Sequence, residues 1–383
     1  MKYDFDQVIE RRGTDSYKWK DYGEDVLPMW VADMDFVSAE PIIQALHQRI
    51  DHRVFGYTRP TLELKTLIQE HLKTVYQWEV NEEEIVFLPG LVTGLNLVYH
   101  TFSNPGDGVL IQPPVYFHFV RDPVTHGRVL DDPPLVQKGD TYEIDFTVFE
   151  KAIGDRTKVF LFCNPHNPVA RVFRPKELER VAEICLRHGV LICSDEIHCD
   201  LLYPGYQHVP IATLGQEVSK QTITLMAPSK TYNLAGLHCG FAVIQDSTLR
   251  RILQIFSSGL IPSVNIIGHT AAIAAYRSGQ EWLDQVLRYL NGNRDYLAQY
   301  IKEKIPSIRM TKMEATYLAW LDCRETGIPG NPFDFFLKEA KVALNDGVTF
   351  GRGGEGFVRL NFACPRKTLT EALDRMSYAM EKL

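Results

Sequence analysis

Three kinds of signal are missing from this sequence, and each absence narrows what the chain can be. No run of 18 apolar residues occurs, so no transmembrane helix is expected. There is no basic excess: 41 Lys and Arg stand against 48 Asp and Glu, a net charge of −7. That argues against nucleic acid and anionic membranes as partners, since both reward a basic surface. There is no CxxC pair, and the seven cysteines are odd in number and scattered. They read as reduced thiols of a cytoplasmic protein. Cys193 and Cys199 flank an acidic, histidine-containing stretch, but their spacing is not that of a zinc site, and no metal is expected. The first ten residues lack the apolar run of a signal peptide.

What remains is an ordinary globular composition, 45% hydrophobic and 23% charged over 383 residues. It can fill a sizeable core, and its length suggests two domains or one large domain with a satellite. Residues 41–50 read as a short helix with Pro41 in its first turn. From about residue 55 strands and helices alternate. Residues 84–88 form a strand, followed by Gly90 and a helix with apolar residues at Leu91, Leu95 and Val98. Residues 109–112 and 158–163 are buried strands. Residues 175–188 form a helix that opens on proline and stops at Gly189. Strands at 190–194, 222–226 and 241–244 follow. Such units imply an α/β fold with a mainly parallel sheet, whose ligands sit beyond the strands' carboxyl ends. From about residue 281 the style changes. A helix runs to about residue 300, residues 315–321 and 357–362 read as extended, and helices fall near 333–340 and from 367. We therefore expect a large domain over 51–280 and a smaller α+β domain from 1–50 and 281–383.

Five features fall at strand ends or inside strands. Asp195 closes the strand at 190–194, and a buried carboxylate there needs a partner. It can be a cap, an ion pair or the counter-ion of a protonated ring nitrogen. Lys230, in Pro228-Ser229-Lys230-Thr231, stands at the start of a loop after the strand at 222–226. A desolvated lysine amine is a nucleophile toward aldehydes. Asn164-Pro165-His166-Asn167-Pro168 is a rigid loop able to present an amide. Pro89-Gly90-Leu91-Val92-Thr93-Gly94 joins a strand to a helix N-terminus, a place for an anion, though it is not a P-loop. Arg359 lies inside an apolar strand and wants a carboxylate, whether from a ligand or a structural ion pair. Gly351-Arg352-Gly353-Gly354-Glu355-Gly356 matches G-x-G-x-x-G, but it leads into a strand rather than opening a helix, which excludes a dinucleotide site. Together the five supply what pyridoxal phosphate bound to an amino acid requires.

In this order of motifs, with 35 residues from Asp195 to Lys230, the sequence resembles the fold-type I, class I/II aminotransferase family of pyridoxal-phosphate enzymes over nearly its whole length. Within it the chain looks like the PatB/MalY-type cystathionine β-lyases. The run Met29-Trp30-Val31-Ala32-Asp33-Met34-Asp35-Phe36, the histidine at His198 after Asp195-Glu196-Ile197, and residues 231–236 carry that likeness. The resemblance implies an aspartate-aminotransferase-like fold with Lys230 as the covalent attachment point of the cofactor. It pairs Asp195 with the ring nitrogen and Asn167 with the ring hydroxyl, and it stacks Tyr116 on the ring. His198 belongs to the same cofactor shell. Gly90, Leu91, Val92 and Ser229 would hold the phosphate, helped by Tyr57 of a second copy in a homodimer with shared sites. Arg359 would grip the substrate carboxylate, and Ala32 would line the substrate side. The activity implied is carbon–sulfur β-lysis of cystathionine or cysteine conjugates. An aminotransferase, or a non-catalytic binding protein that keeps the cofactor site, is the alternative. Three positions depart from the family pattern. Ala227 stands where a phosphate-binding Ser or Thr is common, His238 where Arg is common, and Ala170 where Gly is usual.

Overall fold

The computed structural model describes residues 2–383. A seven-stranded sheet organises the larger part. Its strands are β1 (Ile85–Leu88), β2 (Gly108–Leu110), β3 (Val129–Asp131), β4 (Thr157–Cys163), β5 (Leu191–Asp195), β6 (Thr222–Met226) and β7 (Gly240–Val243). The order is β1-β7-β6-β5-β4-β2-β3. All ladders are parallel except those of β7, which runs antiparallel to both neighbours. The expected fold class is the one observed.

The central strands are covered on both faces, as their unbroken apolar runs require. Along β4, Val159, Leu161 and Cys163 pack in the same core as Leu91, Leu95 and Val98 of the helix Leu91–Phe102. The alternate residues Phe160 and Phe162 pack with Leu178, Val181, Ala182 and Cys185 of the helix Pro175–His188. Those helical positions recur at three and four residues and so share one face. Burying each large apolar side chain there contributes about 1.5–3 kcal/mol. Pro175 opens this helix, and Gly189, at φ 66° in the left-handed region, closes it.

A second, antiparallel sheet holds β8 (Arg309–Met310), β9 (Leu318–Asp322), β10 (Asn345–Asp346) and β11 (Phe357–Asn361), in the order β8-β9-β11-β10. Leu27–Pro28 pairs in parallel with Val342–Ala343, tying the start of the chain to this region. The extended reading of residues 315–321 shortens to β9. Thr316 sits at φ 67°, and the amides of Glu314 and Ala315 turn to the carbonyl of Ala170. The segment 333–340 splits into a turn of α-helix, Pro332–Phe335, and a wider π-type turn, Phe336–Ala340. Several helices are absent from the sequence reading, two of the longer ones for different reasons. Leu62–Tyr76 buries Leu64, Ile68 and Leu72 on one narrow stripe, and Thr61 caps it by accepting from the Leu64 amide. Ile266–Ser278 is rich in alanine and buried around most of its girth, so its period is blurred. Among the described residues no helix is long and apolar enough to cross a membrane.

Candidate active site

The carboxyl ends of β4, β5 and β6 open on one cavity of about 260 Å³. Asp195 is the last residue of β5. Lys230 follows β6, not on a loop as its sequence suggests but in a single helical turn, Pro228–Thr231, started by Pro228. Asn167 comes from the loop after β4, and Gly90–Thr93 from the junction of β1 with the helix Leu91–Phe102. All of these line the cavity, together with Ala32, Tyr116, His198 and Ser229. Two residues named from sequence do not. Arg359 stands behind Asn167, and Tyr57 lies on the surface, fully exposed.

Burial sets the charges of the site. Desolvation brings the Lys230 amine down to about 8, aided by Arg359 and opposed by Asp33 and Asp195. The amine donates to the carbonyl of Ala32 at 2.6 Å, which also accepts from the Tyr317 hydroxyl at 3.0 Å. Burial pushes Asp195 up to about 7; the Ile197 amide, bonded to its Oδ1 at 3.1 Å, pulls the other way. Burial, Lys230 and Arg359 hold His198 down at about 3, so its ring is neutral. Its Nδ1 is buried without a partner.

Arg359, on β11, is almost fully buried, and burial lowers it to about 10. Its sequence context predicts a carboxylate partner, and among the described residues there is none. Nη1 donates to Asn167 Oδ1 at 2.9 Å, and Nη2 to the carbonyl of Trp30 at 3.0 Å and to Asn345 Oδ1. The face of Phe350 lies 5.0 Å from the guanidinium carbon. With Asn167 Oδ1 so occupied, that amide has its Nδ2 donor left to offer the cavity.

Gly90, at φ 105°, caps the helix Leu91–Phe102 without a side chain. The first amides of this helix have no partner inside it and form an anion site with the positive end of the helix dipole. His238 lines the cavity, and its Nδ1 lies 3.6 Å from where a Cβ on Gly90 would be. At this departure from the family pattern a histidine ring therefore stands beside Gly90 in place of an arginine. Ala227 is buried in the apolar core beside the helix Leu91–Phe102 and does not line the cavity. Ala170 takes φ 59°, the left-handed conformation that explains why glycine is usual there.

Sequence reasoning missed Tyr317 and Asn345, and it gave no separate role to Thr93 or Trp30, which lie inside the motifs it singles out. Trp30 acts through its backbone carbonyl, which the run that contains it does not reveal, and Asn345 through an amide with no motif to flag it.

The donor set fits pyridoxal phosphate on the structure's own terms. A buried acid without a cation, an orphaned histidine nitrogen, a depressed lysine and an anion-binding helix end surround one cavity. Comparison with known proteins agrees. Residues 24–376 match the family described as aminotransferase class I and II. Cystathionine beta-lyase PatB of Bacillus subtilis is 40% identical, with 98% of this chain and 99% of PatB covered. Cystathionine beta-lyase of Corynebacterium glutamicum is 34% identical over 97% of this chain and 99% of its own. The crystal structure of cystalysin from Treponema denticola, which contains pyridoxal 5'-phosphate, superposes with a TM-score of 0.96 at 32% identity over the whole of both chains. The chain belongs to the aminotransferase class I and II family of pyridoxal-phosphate enzymes and stands among its PatB-like members.

Proposed function

We propose that this chain is a carbon–sulfur β-lyase that takes L-cystathionine, or a related cysteine S-conjugate, and water to a thiol, pyruvate and ammonium. The observation that carries the reading is one cavity lined by Lys230, Asp195, Asn167 and Ala32, with the Lys230 amine brought down to about 8, in a chain whose relatives over nearly full length are named cystathionine β-lyases. An amine so tuned is part neutral at neutral pH and suits both removal and delivery of a proton.

When bound, pyridoxal phosphate supplies an electron sink that acidifies Cα of the attached amino acid. The rest is the work of this chain. Arg359 holds the substrate carboxylate and, through Asn167, aligns the amide that donates to the cofactor's ring hydroxyl. The Lys230 amine takes the Cα proton and hands a proton to the departing sulfur. Asp195 holds the proton on the ring nitrogen. Tyr116 packs on the ring, and the neutral His198 lies in the same shell. Gly90, Leu91, Val92 and Ser229 hold the phosphate. Ala32 walls the substrate side, and Tyr57 reaches the phosphate of a second copy in a homodimer.

We assign residues 51–280 to a cofactor domain, and 1–50 with 281–383 to a domain that carries Arg359. The seven unpaired, buried thiols support a cytoplasmic location. The test is incubation with L-cystathionine and no keto acid. Pyruvate, homocysteine and ammonium in equal amounts are expected; turnover that requires a keto acid would make the enzyme an aminotransferase instead.

A further inference from the structure

The segment between Arg11 and Lys20 makes an odd attachment to the rest of the protein. Its helix, Tyr17–Lys20, buries one side chain, and that side chain is Lys18. Tyr17 is left largely exposed. Beyond the edge contact of the Tyr17 ring with Trp30, centroids 5.0 Å apart, hydrophobic burial therefore holds little of this segment. Charge holds it instead. The Lys18 amine, wholly inaccessible, lies 2.7 Å from Asp35 Oδ2 and 3.5 Å from Asp33 Oδ1. Arg11 pairs with Asp33 Oδ2 at 2.8 Å and with Asp35 Oδ1 at 2.5 Å. The Trp19 indole donates to Asp35 Oδ1 at 2.9 Å. Two cations thus close on two carboxylates.

Such a cluster is a poor source of stability, because desolvating four charges offsets most of their attraction and an apolar contact would hold the segment as well. Its advantage is geometric: it fixes Asp33 and Asp35 in one place. Those residues sit just past two backbone carbonyls that touch the cations of the active site. The Trp30 carbonyl accepts from Arg359 at 3.0 Å, and the Ala32 carbonyl from Lys230 at 2.6 Å. Trp30 is also tied directly to the segment, since its indole donates to the carbonyl of Lys18 at 3.1 Å. Residues 30–35 are therefore gripped on one side by charge and on the other by the groups that meet cofactor and substrate.

We infer that residues 11–20 are a positioning element of the active site: through Arg11, Lys18 and Trp19 they lock Asp33 and Asp35, and so set the Trp30 and Ala32 carbonyls that hold Arg359 and Lys230 at their working separation. Arg11, Lys18 and Trp19 are positioning residues, with no contact to the reacting atoms. The inference rests on Lys230 and Arg359 facing cofactor and substrate.

Arg11→Gln in the cofactor-loaded enzyme tests it. Hydrogen–deuterium exchange is read over residues 11–36, and kinetics follow whichever reaction the parent catalyses, so failure of the lyase reading leaves the test intact. The expected result is faster exchange over 11–20 and 29–36, with KM raised and kcat lowered, each about tenfold or more. Cofactor content should stay equal to the parent's, and Arg11→Lys should restore most of the loss. If Arg11→Gln does not fold, Trp19→Phe, which removes one neutral donor from Asp35, is read by the same criteria. Released exchange with kinetics within twofold of the parent overturns the inference. So does unchanged exchange, because the clamp would then not be what holds the segment, and so does a kinetic loss that Arg11→Lys does not restore.

Discussion

Arg359 and Asn167 meet at 2.9 Å through Nη1 and Oδ1, joining the residue proposed to bind the substrate carboxylate to the residue proposed to bind the cofactor ring. Among the described residues no carboxylate neutralises Arg359, so the free protein bears the cost of a buried cation without an ion-pair partner until a ligand arrives. Arg359→Met should lower kcat/KM by roughly 10- to 150-fold, the value of charge-assisted hydrogen bonds of about 1.5–3 kcal/mol. The ligand-free protein should melt at the same temperature or higher. A fall in melting temperature matching the loss of activity would show that Arg359 is held for structure.

Lys230 should be the sole covalent anchor of the cofactor. Lys230→Ala should lose turnover and should release cofactor on gel filtration, and reduction with borohydride should leave a mass adduct on Lys230 in the parent alone. The depressed amine adds a kinetic signature. Only the neutral amine attacks an aldehyde, and it is half neutral near pH 8. The rate at which cofactor-free protein captures pyridoxal phosphate should therefore rise about tenfold per pH unit up to about 8 and level off above it. A rate independent of pH between 6 and 8 contradicts the assignment.

Asp195 gives a stability test with a definite sign. Its folded value of about 7 lies above the usual 3.8. The folded, cofactor-free protein thus holds this proton more tightly than the unfolded chain, and that stability is present in full below pH 4 and lost as pH rises through about 7. At about 1.36 kcal/mol per unit the loss is of order 4 kcal/mol. Relative to Asp195→Asn, which cannot titrate, the cofactor-free parent should become progressively less stable between pH 4 and 7. Pyridoxal phosphate should cancel the difference in the parent, because a ring cation gives the carboxylate its partner. Parallel stability curves for parent and variant would remove this role. In catalysis, Asp195→Asn should slow Cα deprotonation severely with the cofactor still retained.

Gly90 tests the anion site. A Cβ there would meet nothing closer than His238 Nδ1 at 3.6 Å, so space is not the constraint; the φ of 105° is. An L-residue held there bears about 1–3 kcal/mol of strain. Gly90→Ala should weaken equilibrium binding of pyridoxal phosphate by roughly tenfold or more, measured by titration of the cofactor-free protein.

The parts of this site that sequence made legible are those in which residue type and position agree on one unusual demand. Asp195 at a buried strand end, Lys230 beside a proline after a strand and Arg359 inside an apolar strand each break a local expectation. The parts that stayed hidden are contacts whose chemistry is generic. The Ala32 carbonyl looks like any other carbonyl until folding brings Lys230 and Tyr317 to it. Tyr317 itself sits in an apolar run where a tyrosine raises no question. His238 read only as a missing arginine, and sequence alone did not show that it lines the cavity beside Gly90. The helix Ile266–Ser278 escaped because a helix buried on most sides has no polar face to mark its period.

The exposed Tyr57 leads to a test of shared sites. It protrudes from a stretch in which Val54 and Phe55 are exposed too, an arrangement that a second copy would cover. If Tyr57 serves the phosphate of its neighbour, Tyr57→Ala damages the partner's site, whereas Lys230→Ala damages its own. A mixed dimer of the two variants then contains one site with both defects and one with neither. Random reassortment of an equal mixture makes half of the dimers mixed, so activity should recover to about a quarter of the parent's, although Lys230→Ala alone has none and Tyr57→Ala alone little. Sedimentation should show a dimer for parent and variants alike. No recovery on mixing, with subunit exchange verified by mass, would mean that each site is built from one chain.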